Sequence, residues 1–171
     1  MPGAGHSQLG DSLATTFPSM YGADAGAHGL SELTNTEVAD VYSRLFRREK
    51  KEAVQLGLDG PVRTDAQTFA TALAVYVTNF TLAGNTVTDH GFLITANGVG
   101  NPAFNAGDNG EVFGVSDGSD VTVPDLLLAT DDRAVDGVLY DSGGEADDDR
   151  ETLFRTLANN VFSNINEQGD T

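Results

Sequence analysis

The chain has 171 residues, nine lysines and arginines against 26 aspartates and glutamates, and a formal net charge of −17. That length suits one domain with extensions and can bury a core without disulfides or a structural metal. The absence of cysteine excludes a thiol nucleophile, a disulfide framework and Cys-ligated zinc, and no run approaches the roughly 18 apolar residues of a membrane span.

Residues 1–30 are rich in Gly, Ala and Ser, a composition that buries little by itself. There is no basic region followed by an apolar one, so no secretory signal peptide is expected. Leu9, Leu13, Phe17, Met20 and Tyr21 interrupt the small residues. The segment reads either as a flexible terminus or as an extended arm whose larger side chains dock on a neighbouring subunit.

Residues 31–60 predict an amphipathic helix. Thr34 and Glu37 have the spacing of a capping box, in which each side chain satisfies an orphan backbone N–H. Val38, Val41, Tyr42, Leu45 and Phe46 follow at helical spacing, and Gly57 with Gly60-Pro61 ends the run. Arg44, Arg47, Arg48, Lys50 and Lys51 hold five of the nine basic residues, so the segment 31–56 is neutral against its five acids. Cations suit a helix C-terminus in any case. In so acidic a chain, however, a local basic patch marks where a partner of opposite charge would sit, and these five residues are the predicted partner contact.

Residues 61–144 predict a β-sandwich core. Gln67 to Phe80 places Phe69, Leu73, Val75 and Val77 on one parity, with Thr and Ala mostly on the other, although Ala66 to Ala74 could form a helical turn. Short runs follow at 86–88, 92–96, 111–116, 121–129 and 134–140. They are separated by Asn97-Gly98, Asn109-Gly110 and Asp117-Gly118, and Asp136-Gly137 could close a hairpin inside the last run. Pro124 would mark a sheet edge or a bulge. Short strands with glycine-rich turns predict a mainly β fold, a single jelly roll or β-sandwich. Residues 145–171 then predict a C-terminal helix packed on that core or on a neighbour. Asp148 and Glu151 stand at its start, and Leu153, Phe154, Leu157, Val161, Phe162 and Ile165 form its apolar stripe.

No catalytic or nucleotide-binding fingerprint is present. His6, His28 and His90 are scattered, and nothing marks a placed nucleophile. No cofactor is expected. Asp131-Asp132, the run Asp147 to Asp149, and the turns at Asp108 to Glu111 and Asp117 to Asp120 could hold Na⁺, K⁺, Mg²⁺ or Ca²⁺ through carboxylate oxygens. None has EF-hand spacing, and ordinary turn or hydration roles account for them better.

High Asp and Glu content with only two lysines, Lys50 and Lys51, resembles the proteins of salt-in haloarchaea. At molar salt the Debye length is about 3 Å, so neighbouring carboxylates hardly repel while they keep the surface hydrated. Such a surface argues against free nucleic acid as a partner. An arm, a helix, a compact acidic β block and no active site together resemble the small single jelly-roll capsid protein of tailless icosahedral haloarchaeal viruses with an internal membrane. The resemblance rests on overall plan, size and composition over residues 30–171. It implies a structural virion protein located in the capsid, with no enzymatic role, that assembles with itself and with a second capsid protein close to a membrane. A decoration, turret or head–tail connector protein of a tailed haloarchaeal virus is the alternative within virions. A cellular halophilic module that binds a small ligand or a cation is the alternative outside them.

Overall fold

The computed structural model describes residues 8–47, 63–79, 103–141 and 148–168. In chain order these form α1 (Gln8–Thr16), α2 (Pro18–Tyr21), a 3₁₀ turn (Gly26–His28), α3 (Asn35–Arg47), α4 (Thr64–Thr78), β1 (Ala103–Asn105), a longer 3₁₀ segment (Gly107–Phe113), β2 (Asp120–Thr122), α5 (Val123–Asp131), β3 (Ala134–Val135), β4 (Val138–Leu139) and α6 (Asp148–Gln168). The fold is therefore mainly α, and the only sheets among the described residues are two antiparallel pairs, β1–β2 and β3–β4. The expected mainly β jelly roll is overturned. The predicted runs at 86–88 and 92–96 lie outside the described residues.

The largest error is at α4, where alternation from Gln67 to Phe80 predicted a strand. Phe69, Ala72 and Tyr76 are the buried apolar positions, at helical rather than alternating spacing. β-Branched threonines ordinarily disfavour a helix. Here Thr68, Thr71 and Thr78 donate their hydroxyls to the carbonyls of Thr64, Gln67 and Ala74 at 2.9, 3.0 and 2.6 Å. Each hydroxyl is satisfied four residues back, so threonine can be buried in a helix that also holds four alanines, the best helix formers.

The run 121–129 is a second case. It is a strand end at Thr122 followed by α5. Thr122 caps that helix: Asp125 N–H donates to its Oγ1 at 3.3 Å, and its hydroxyl donates to Asp125 Oδ2 at 2.6 Å. Pro124 lies in the first turn, where its missing N–H costs nothing, rather than on a sheet edge. The first half of the run 111–116 belongs to the 3₁₀ segment that ends at Phe113.

Helix α4 is the centre of the molecule: α1, α3, α5 and α6 all pack against it. Phe69 is fully buried, with the Tyr21 and Tyr42 rings 5.0 and 5.9 Å from its own. Phe113 meets Phe162 of α6 edge-on at 5.9 Å. Fully burying an aromatic or large aliphatic side chain contributes about 1.5–3 kcal/mol, so these contacts anchor the surrounding helices.

Residues 8–30 do not extend as an arm. Leu13, Phe17, Met20 and Tyr21 are buried in this chain's own core. The β3–β4 hairpin holds the segment. Its turn is Asp136-Gly137, as expected, with φ of 50° and 84°, the positive values of a type I′ turn. Gly137 N–H donates to Ser19 O at 3.1 Å, and His28 Nδ1–H donates to Gly137 O at 2.6 Å. A Cβ at Gly137 would stand 2.3 Å from Ala25 O, so both the turn and the close approach demand glycine.

Candidate partner-contact surface

Helix α3 begins as its sequence predicts. Glu37 Oε2 accepts from the Thr34 N–H and the Thr34 hydroxyl, both at 2.8 Å, while Glu37 N–H donates to Thr34 Oγ1 at 3.3 Å. The bond from the Thr34 backbone, with a smaller contribution from its hydroxyl, holds the Glu37 carboxyl below its usual pKa. Val38, Val41 and Leu45 turn inward. The outer face lines an open cleft of about 640 Å³ with Leu33, Glu37, Asp40, Ser43, Arg44 and Arg47. Charge along that face runs from acidic to basic in the direction the helix dipole favours.

Of the predicted contact residues, the structure places Arg44 and Arg47 on this surface, both exposed. Arg48, Lys50 and Lys51 lie outside the described residues. Two further groups join the patch. Phe46 is 47% exposed despite its place in the apolar pattern. The Arg63 guanidinium, at the start of α4, stands 5.5 Å from the centre of the Phe46 ring. Sequence reasoning missed Arg63 because it lies beyond Gly60-Pro61, and no local pattern ties it to α3.

The other described arginines are occupied. Arg133 donates to the carbonyls of Glu111 and Val112 at 3.0 and 2.6 Å. Arg150 pairs with Glu111 at 3.3 Å on the surface. Both guanidiniums also stand over the Phe154 ring, at 5.5 and 4.9 Å. Arg155 is wholly buried, donating to Asp65 Oδ2 at 3.2 Å and to Leu139 O at 3.0 Å. Among the described residues, Arg44 and Arg47 make no ion pair and no side-chain hydrogen bond.

The acidic motifs at Asp131 and at Asp117 to Asp120 serve local structure, while Asp147 lies outside the described residues. Asp131 is buried and accepts from Met20 N–H at 2.8 Å, whereas Asp132 is exposed on a cleft with Arg133 and Arg150. The two therefore do not act as a pair. Burial raises the Asp131 pKa, against the lowering effect of bonds from Met20 and Ser19. Asp117 Oδ1 accepts from Gly110 N–H at 3.1 Å, and Asp120 Oδ1 from the Asn105 amide at 2.8 Å. No group of three or more metal-ligating side chains forms among the described residues. Burial raises the Tyr21 pKa far above its usual value, and the nearby Asp65 and Asp131 carboxylates push the same way. Its hydroxyl stays protonated, as a core group should. His6 and His90 fall outside the described residues.

Comparison with family models, curated proteins and solved structures gave no match. No helix among the described residues is long and apolar enough to cross a membrane.

Proposed function

We propose that the chain is a structural, non-catalytic subunit of a haloarchaeal virion that self-associates in high salt. The observation that carries this is the outer face of α3: Arg44 and Arg47 are exposed cations with no internal partner among the described residues, in a chain of net charge −17. A surface of that kind complements the acidic surface of a second copy. A basic patch meeting an acidic one is a heterologous contact, and such contacts close into rings or continue as open arrays. With the jelly roll gone, the capsid-lattice form of the reading loses its support from fold. A closed ring, as in a decoration, turret or connector protein, then becomes the favoured setting.

Light scattering after size exclusion, across a series from molar to dilute salt, tests the reading. Assemblies of defined mass are expected at molar salt and smaller species in dilute buffer. Arg44→Glu with Arg47→Glu should weaken assembly by at least about tenfold in dissociation constant, as loss of a charged contact does. Asp147→Lys with Asp149→Lys should leave it intact. Equal weakening by both pairs, or a monomer at every salt concentration, would overturn the proposal.

A further inference from the structure

The sequence predicts that helix α6 presents one apolar stripe to the core or to a neighbour, but the structure divides that stripe. Phe154, Ala158, Val161 and Phe162 are buried, while Leu153 is 50% exposed and Leu157 half-buried. With Asn160 and Asn164, both exposed, these leucines recur at spacings of four, three and four residues along the outer side of the helix. That is the spacing of a seam between two helices.

The same outer side has a second property. Between Arg150 and Glu167, every exposed or half-exposed residue of α6 is uncharged, and the lone charged residues of that interval, Glu151 and Arg155, are buried. About four turns of solvent-facing helix thus carry no carboxylate, on a protein with 26 of them. A halophilic surface depends on dense carboxylates for hydration, so their exclusion here calls for a separate reason. Charge depletion is the compositional signature of an interface core. The occupant follows from charge: a second copy of this −17 chain packs here without burying a carboxylate on either side, and that desolvation cost, unlike long-range repulsion, is not screened away by salt. Asparagine amides, each both donor and acceptor, can also satisfy an identical face.

We infer that the outer seam of α6, through Leu153, Leu157, Asn160 and Asn164, is a two-fold contact with a second copy of this chain. It rests on the proposed self-association and supplies the isologous half of it, α3 supplying the heterologous half. The helix face measures roughly 30 Å by 10 Å, well below the about 800 Å² per partner of a stable complex. The contact is therefore weak alone and acts jointly with the α3 patch, as linked weak sites do.

The test compares Asn160→Asp with Asn164→Asp against a control, Ala103→Asp with Ser116→Asp, which adds the same two charges on exposed sites outside both proposed contacts. Circular dichroism verifies that both variants fold. Sedimentation at molar salt should show at least about tenfold weaker association for the α6 variant than for the control. If the two behave alike while wild type assembles, this inference fails and the α3 reading stands. If wild type is monomeric at every salt concentration, the α3 reading falls, and a short bis-maleimide linker on Asn160→Cys at high protein concentration decides the seam. The native chain has no cysteine to interfere. A covalent dimer at position 160 but not with Ser116→Cys supports the contact, and no dimer overturns it.

Discussion

The ion pair between Arg155 and Asp65 joins α6 to α4 across ninety residues of sequence, with both side chains essentially inaccessible to water. Arg155 also holds Leu139 O, and Thr64 returns a bond to Arg155 O at 3.1 Å. One group thus ties together two helices and the end of the β3–β4 hairpin. Removing one member of a buried pair leaves a desolvated charge and costs about 3–5 kcal/mol. Asp65→Ala should therefore lose that much in urea unfolding at molar salt, whereas Asp65→Ala with Arg155→Met should recover most of it. A double variant as unstable as the sum of the two single losses would refute the account. None of this was legible in the sequence. At α6 the apolar spacing was plain enough to suggest a stripe, but that stripe contained Leu153, which points outward, and it passed over Arg155, which points inward. A charged residue at a core-facing position can be recognised only once its partner is known, and Asp65 lay in a segment predicted to be something else.

At the scale of elements, local chemistry was readable wherever both partners sit within a few residues. The capping box at Thr34 and Glu37, the Asp136-Gly137 turn and the C-terminal helix all form as their sequences predict. A second box, at Thr122 and Asp125, carries the same signal, but it lies inside the apolar run Val121 to Ala129, which reads as a strand. Helix α4 reads as a strand for a different reason. Its threonines have strand-like propensity, and only the i−4 carbonyl bonds, with burial against four helices, reverse that preference. Propensity is a weak prior that tertiary contacts override. The caps themselves can be tested. Thr34→Ala and Thr122→Ala should each cost about 1 kcal/mol, read from thermal unfolding at molar salt. Glu37 has a pKa lowered by folding, so its contribution is present above the pKa of the unfolded chain and fades as pH falls through the lower folded value. Glu37→Gln can keep the box without the titration. The wild type should therefore lose more stability than Glu37→Gln as pH drops below the usual glutamate range. Parallel pH profiles for the two would show that the carboxylate is not the group responsible.

For the molecule as a whole, the question is what a net charge of −17 does to a helical fold of this size. Ordinary small domains carry a magnitude of about 2–8, so self-repulsion works against compactness here. Of two ion pairs between described residues, Glu111 with Arg150 lies on the surface, and Asp65 with Arg155 is sheltered from salt. Screening therefore has to supply much of the compensation. The Debye length falls from about 30 Å at 0.01 M to about 10 Å at 0.1 M and about 3 Å at 1 M. Repulsion between surface carboxylates should be largely removed within the first few tenths molar. Apolar burial around α4 is strengthened by salts excluded from the surface, and that effect continues to grow through the molar range. The two contributions predict a melting curve with two regimes, measured by far-ultraviolet circular dichroism at low protein concentration. The melting temperature should rise steeply below about 0.3 M sodium chloride, where screening acts. It should then rise more slowly, and more strongly with sulfate than with chloride at equal ionic strength. A melting temperature indifferent to salt would mean that the acidic surface is neutral to folding. The carboxylates would then have to be explained by solubility alone, and the salt dependence expected of assembly would have to arise wholly between molecules.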